Sequence, residues 1–249
     1  MTQATFEGRS GPTALAPTKG PLRLRGSTLA LAAILVAAIL VQAWPEAAAA
    51  LEFDRQKITA GQWWRLISGH LAHYGWPHMA ADMGVFAALC WVAERRRGGV
   101  AWAVALGGVA VGAAVYGWAP EADAYRGMSG VDSAVFGYLV VTRVARHRGL
   151  KAAAWLTVLA LAIGRFVFET ATGRPLLPTS LPDGITVIGI AHLAGLAAGC
   201  LTAAVREAAA DDGGVGRAVA KAAMARWRLA AASRAVPAKH GPTGRPLSS

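Results

Sequence analysis

Long apolar stretches that are almost free of charge alternate along this chain with short segments that carry most of its charged residues. Each stretch approaches the roughly 20 mostly apolar residues that a helix needs to cross a bilayer. The pattern predicts an all-α membrane protein, a bundle of six transmembrane helices over these segments: Ser27–Trp44, Trp76–Ala93, Gly99–Ala119, Met128–Ala145, Ala152–Phe168 and Ile185–Val205.

The composition agrees with a membrane protein. Of 249 residues, 55% are hydrophobic and only 16% are charged, whereas a soluble domain has about 25% charged residues. A soluble all-helical core of this size would show amphipathic stripes and more charge. An alternative for the first span is a secretory signal peptide, with basic residues before it and a small-residue cleavage site at Ala47–Ala50.

The net charge of +11 is explained by membrane topology. Placing the N-terminus in the cytoplasm puts most of the 25 Lys and Arg residues on the inner side, so both termini are expected to be cytoplasmic. Basic flanks also attract anionic lipid headgroups, and no nucleic acid partner is needed. We expect a disordered tail over 1–26, a membrane domain over 27–205 and a basic cytoplasmic tail over 206–249.

Ionisable side chains inside spans are costly and therefore mark functional candidates. Three clusters lie toward the outer ends of the second, fourth and sixth spans. In the second span His78 and Asp82 are four residues apart and share one helix face. Upstream, Trp63-Trp64-Arg65 is typical of an interfacial anchor, and His70 and His73 are interpreted as hydrogen-bonding residues of the loop.

The second cluster is centred on a serine at the start of the fourth span. Ser129 opens that span, and Asp132 and Ser133 follow one turn below. Gly127 and Gly130 flank the serine without side chains, which predicts room for a substrate backbone to approach the hydroxyl.

The third cluster contains one histidine and two glycines. Gly195 and Gly199 form a small-residue face that lets another helix approach His192 closely. If that helix is the fourth span, Ser129 and His192 come within hydrogen-bond reach. The loop Glu121–Gly127 must then dip below the membrane surface, and such irregular backbone is tolerated only if it lines a cavity or is buried in protein.

These residue types support nucleophilic catalysis. A histidine takes the serine proton and returns it to the leaving amine, while the Ser129 N–H and His78 are candidate donors to the oxyanion. Asp132 is a candidate third member. The alternatives are a zinc site built from the histidines and an aspartate, and a small-molecule transporter, for which no inverted repeat is evident.

Four motifs in register carry a family resemblance, over residues 60 to 200: Trp64-Arg65, His73…His78-x-x-x-Asp82, Gly127-x-Ser129-Gly130 and Ala191-His192-x-x-Gly195-x-x-x-Gly199. This set resembles the rhomboid intramembrane serine proteases. The run from Phe53 to His70, with Tyr125-Arg126-Gly127, is most similar to the rhombosortase branch.

The resemblance implies that Ser129 is the nucleophile, His192 the general base and His78 an oxyanion donor, with no cofactor and no metal. Asp82 stands where the family has asparagine, and Ser133 where it often has an aromatic residue stacked on the histidine. The implied partners are the lipid bilayer of a bacterial inner membrane and a membrane-anchored protein substrate with a C-terminal Gly-Gly-type anchor. The alternative is an inactive rhomboid-like binding protein or chaperone.

Overall fold

The computed structural model of the protein describes residues 26–94, 99–179 and 181–210, and within these ranges the chain is mostly helical. In chain order the elements are α1 (Gly26–Ala43), α2 (Pro45–Leu51), β1 (Phe53–Asp54), α3 (Arg55–Thr59), α4 (Arg65–Ser68), a 3₁₀ turn (Gly69–Leu71), α5 (Trp76–Glu94), α6 (Val100–Trp118), β2 (Ala124–Tyr125), α7 (Ser129–Val144), α8 (Leu150–Thr172) and α9 (Gly189–Ala210).

The six longest described helices coincide with the six predicted spans. Three of them, α6, α8 and α9, are long and apolar enough to cross a membrane, and a fourth span results if α1 and α2, bent by 116° at Trp44, are taken together. The others are less apolar, since α5 contains Asp82 and α7, with only 16 residues, contains Asp132. Six spans therefore remain a prediction.

Parts of the predicted organisation fall outside the described residues. These are residues 1–25 of the N-terminal tail, the loop Arg95–Arg97 and residues 211–249 of the C-terminal tail. Within the described residues, α9 continues to Ala210, five residues past the predicted end of the last span.

Helix α7 lies at the centre of the bundle. It packs against α5, α6 and α8, and 11 of its 16 residues are buried. Neighbouring helices therefore shield most of its surface. A shielded helix can carry polar side chains such as Asp132 and Ser133 toward a protein interior instead of toward lipid.

Small residues bring α9 against α7. A side chain at Gly195 would overlap the carbonyl oxygen of Gly130, and one at Gly199 would overlap that of Ala134. In the other direction, a side chain at Gly137 of α7 would come within 2.6 Å of the Leu196 carbonyl oxygen of α9. The close approach that the Gly195 and Gly199 spacing predicts is therefore present, and α7 is the helix involved.

A two-residue antiparallel ladder fixes the chain just before α7. Phe53 pairs with Tyr125, and Asp54 pairs with Ala124. The next residue, Arg55, donates to four carbonyl oxygens at and beyond the end of α6, at 2.7–3.0 Å: those of Val115, Tyr116, Ala119 and Ala122. A cation at this helix end also complements the helix dipole.

The Trp63-Trp64-Arg65 segment differs from the predicted anchor in one residue. Both indoles are exposed, as an interfacial position requires. Arg65 is buried instead, and it donates to the Glu52 carbonyl at 2.9 Å and to Gln62 Oε1 at 2.7 Å. The arginine therefore ties the preceding loop together, because its five N–H groups can satisfy several buried acceptors at once.

The α7–α9 contact predicts a measurable difference between two glycines. Gly199→Ala forces the helices apart and should lower the free energy of unfolding by about 1–3 kcal/mol. Gly164→Ala is the matched control, since Gly164 in α8 faces open space and alanine favours a helix over glycine by roughly 0.5–1 kcal/mol. Thermal unfolding in detergent measures both, and equal stability of the two variants would contradict the packing described.

Candidate active site

A cleft of about 1360 Å³ opens between α5 and α8, with α7 and the first turns of α9 also lining it. Typical small-molecule pockets hold about 300–1000 Å³, so the cleft has room for several residues of an extended peptide. Five residues predicted from the sequence line it: His78, Asp82, Ser129, Asp132 and His192.

Ser129 and His192 face each other in this cleft. Ser129 is the first residue of α7 and is half-buried, while His192 lies in the first turn of α9 and is buried. Their Oγ and Nε2 atoms are 3.1 Å apart. When the serine hydroxyl donates this hydrogen bond, Nε2 is the acceptor and the proton of the neutral imidazole is on Nδ1.

The other side of the His192 ring contacts α8, a helix that contains none of the predicted site residues. The Phe166 ring lies 4.9 Å from the imidazole, centroid to centroid, at 30°. Glu169 Oε2 lies 3.3 Å from Nδ1. Phe166 therefore occupies the stacking position that Ser133 leaves open. Asp132, the candidate third member, makes no contact with His192 among the described residues, because Nδ1 faces Glu169.

One oxygen of Asp82 lies close to three nitrogen atoms. This oxygen, Oδ2, accepts the Met128 N–H at 2.8 Å and lies 3.3 Å from His78 Nε2 and 3.5 Å from His73 Nε2. Met128 is the N-cap residue of α7 and has no side-chain cap of its own. Asp82 of α5 thus satisfies one of the N–H groups that every helix start leaves open, and it holds the residue next to Ser129.

The hydrogen bonds of His78 define its tautomer. The Tyr74 N–H donates to His78 Nδ1 at 3.3 Å, so this nitrogen is an acceptor. The ring proton is then on Nε2 and points to Asp82. Asp82 is therefore placed to orient the His78 ring.

The two glycines around Ser129 leave less open space than the sequence predicts. A side chain at Gly127, where φ is +127°, would lie 2.9 Å from Asp82 Oδ2 and 3.0 Å from the His78 ring. One at Gly130 would lie 2.8 Å from Val111. The protein's own chain fills the space that a side chain would need at both positions, and the approach of a substrate backbone to Ser129 stays a prediction.

The loop before Ser129 is partly buried in protein, with Glu121, Asp123 and Ala124 exposed. Ala122, Tyr125 and Met128 are buried. Burial raises the pKa of the Tyr125 phenol, so this side chain stays protonated at neutral pH. His70 spans the same region, with its ring nitrogens 3.0 Å from the Gly108 carbonyl and 3.4 Å from that of Gly127.

His70 has the loop-bonding role that the sequence predicts. Burial lowers the pKa of its imidazole, so the ring is neutral at pH 7 and donates only one of its two possible hydrogen bonds. His73 and His78 direct their Nε2 atoms at a single oxygen of Asp82. In the described ranges no group of three or more His, Cys, Asp or Glu side chains is arranged to hold a metal ion.

Comparison with known proteins identifies the family. The family model described as Rhomboid domain matches residues 60–208, more than half of the chain, and this range contains every cleft residue named above. A search of curated proteins returns no match. With apolar helices that can cross a bilayer, the protein is a multi-pass membrane protein. The chain belongs to the rhomboid family, whose members are generally intramembrane serine proteases.

Proposed function

We propose that this protein is an intramembrane serine endopeptidase in which Ser129 and His192 form the catalytic dyad. The observation that carries the proposal is the 3.1 Å contact between Ser129 Oγ and His192 Nε2 inside a cleft large enough for a peptide. A serine is a weak nucleophile unless a base within hydrogen-bond reach takes its proton. His192 satisfies that requirement.

The proposed reaction proceeds through an acyl-enzyme. Ser129 Oγ attacks the scissile carbonyl carbon as its proton passes to His192 Nε2, and the carbonyl electron pair moves onto oxygen. When the tetrahedral intermediate collapses, the C–N bond breaks and Nε2 gives the proton to the leaving amine. Water, activated by the same histidine, then releases the acyl group. This chemistry requires no cofactor and no metal.

The oxyanion needs donors that are already in place. The Ser129 N–H belongs to the first turn of α7, where backbone N–H groups lack partners within the helix. His78 is the proposed second donor. Its Nε2–H is directed at Asp82 in this structure, so the hydrogen bond must be shared or exchanged when the oxyanion forms.

We further propose six transmembrane helices with both termini in the cytoplasm. Helices α5 and α7 each contain an aspartate. Neighbouring helices enclose α7, which lowers its need for an apolar surface. In this orientation the N-terminus of α7 and the start of α9 lie toward the outer side. Cleavage is then expected near the outer face of a bacterial inner membrane.

The proposed substrates are membrane-anchored proteins with a C-terminal Gly-Gly-type anchor, as in the rhombosortase branch. A peptide must become extended to reach Ser129, and glycine residues weaken a substrate helix because they gain the most conformational freedom on unwinding. A Gly-Gly peptide bond at the end of an anchor helix would therefore reach the cleft between α5 and α8 after little of that helix has unwound.

The dyad predicts that alanine at either position abolishes reaction with a fluorophosphonate probe. Labelling of the detergent-solubilised protein should be lost in Ser129→Ala, and turnover of a cleaved substrate should fall by about 10⁴-fold in Ser129→Ala and in His192→Ala. Ser133→Ala is the control for labelling, since this neighbouring hydroxyl donates to the Ser129 carbonyl at 3.0 Å.

Two outcomes contradict the dyad. Equal labelling of wild type and Ser129→Ala would assign the nucleophile elsewhere. Absence of labelling in folded wild-type protein would favour an inactive rhomboid-like binding protein.

Two glycines with positive φ provide a second test. Gly127→Ala adds both backbone strain and a collision with Asp82 and His78, whereas Gly61→Ala at φ +101° adds strain alone, because nothing lies within 4 Å. Each substitution should cost about 1–3 kcal/mol of stability from strain. We expect the labelling rate to fall at least tenfold in Gly127→Ala only, and equal rates would exclude a role for this close approach.

The substrate proposal is tested with a reporter protein that carries a short C-terminal anchor. Gly-Gly at the outer end of the anchor should permit cleavage in cells that express the wild-type protein and not in those that express Ser129→Ala. Replacing Gly-Gly with Leu-Leu should slow cleavage at least tenfold, because the helix no longer opens easily. Cleavage that ignores this change would refute the proposed specificity.

A further inference from the structure

Helix α8 makes a restricted contact with the rest of the molecule. Of its 23 residues only Phe166 and Glu169 are buried, and both contact His192. Large apolar side chains elsewhere on the helix, such as Leu161, are exposed, as in a helix that faces lipid. The contact with His192 is therefore the principal buried feature of α8.

Glu169 is the more informative of the two residues, because a carboxylate inside a protein needs compensation. Its side chain is fully buried, and Oε1 accepts hydrogen bonds from Arg165 Nε at 2.8 Å and from the Leu176 N–H at 3.3 Å. Taking a carboxylate out of water is costly unless its charge is paired and its oxygens are hydrogen-bonded. These two donors satisfy Oε1, whereas Oε2 has no hydrogen-bond partner among the described residues.

The remaining oxygen faces the general base. Oε2 lies 3.3 Å from His192 Nδ1, and neither atom has a well-aligned hydrogen bond within the described part of the chain. The same imidazole has its Nε2 at Ser129. Catalytic hydrogen bonds are often poorly aligned before substrate binds, and the 3.3 Å distance keeps these two atoms within reach of each other. A hydrogen bond between Nδ1 and Oε2 would therefore satisfy both atoms.

A glycine in the backbone allows Glu169 and His192 to come close together. Gly189 begins α9 one turn before His192, and a side chain there would overlap the Thr170 N–H and the Glu169 backbone. Glycine at this position lets the end of α8 and the start of α9 touch. The contact between Glu169 and His192 thus depends on a specific close packing of two helix ends.

We propose that Glu169 is a positioning residue that completes a Ser129–His192–Glu169 triad, a proposal that rests on the proposed function. Glu169 accepts the Nδ1–H of His192, which leaves the Nε2 lone pair directed at Ser129. When Nε2 takes the serine proton, the imidazolium forms beside a carboxylate that stays ionised. Arg165 holds that carboxylate in place, and Phe166 fixes the plane of the ring.

Glutamine at position 169 tests the proposal with little change in shape. Arg165 donates only, so it holds the amide oxygen and turns the amide NH₂ toward His192 Nδ1. The ring must then accept at Nδ1 and carry its proton on Nε2, which is the unproductive tautomer. A comparable change in a serine protease triad lowers kcat about 10⁴-fold.

The measurement is saturable labelling by a fluorophosphonate probe, which requires no known substrate. For Glu169→Gln we expect the maximal labelling rate to fall at least 100-fold with little change in the probe concentration at half-maximal rate. Glu169→Asp, which keeps the charge, should recover part of the rate. Glu207→Gln is the matched control: it removes an Arg146–Glu207 ion pair on α9 far from His192 and should label as wild type.

The outcomes separate this inference from the proposed function. If wild type labels at Ser129 and Glu169→Gln labels within threefold of it, the triad is refuted while the dyad stands. A loss of rate matched by an equal loss of folded protein in thermal unfolding, without recovery in Glu169→Asp, shows a structural role only and also refutes it. Labelling that does not depend on Ser129 refutes the proposed function itself.

Discussion

The candidate site depends on the close contact between α7 and α9. Two glycines of α9 rest against carbonyl oxygens of α7, at Gly130 and Ala134. Inside a bilayer the hydrophobic effect does not drive helices together, so dense packing of small residues has to hold them. The separation of the two helices at this contact also determines the distance from Ser129 to His192, because both residues lie at the N-terminal ends of these helices.

A second constraint acts at the start of α7. Asp82 holds the Met128 N–H and orients His78, so one carboxylate couples the helix start to the histidine proposed as oxyanion donor. An asparagine offers one neutral acceptor oxygen and a donor NH₂, whereas a carboxylate oxygen accepts more strongly because it carries charge. An aspartate at position 82 therefore strengthens the hydrogen bonds from the Met128 N–H and from His78.

Much of the architecture could be predicted from the sequence, because apolar length and glycine spacing are local properties. The positions of the long helices and the α7–α9 approach follow from them. Glu169 was not predicted, because the apolar stretch that predicts α8 ends at Phe168, one residue before it. An arginine and a glutamate four residues apart at an apolar helix end, Arg165 and Glu169, were the available signal. Which residues fill the space beside Gly127 and Gly130 depends on distant segments and was not predictable.

The ladder between β1 and β2 has a consequence for where this domain can be cut. The family match begins at residue 60, yet β1 and Arg55 precede it and hold the end of α6 and the segment before Ser129. A polypeptide trimmed to residues 60–208 would leave those carbonyl oxygens without their guanidinium and Tyr125 without its pairing strand. The structural unit of this chain therefore extends upstream of the family match, at least to Phe53.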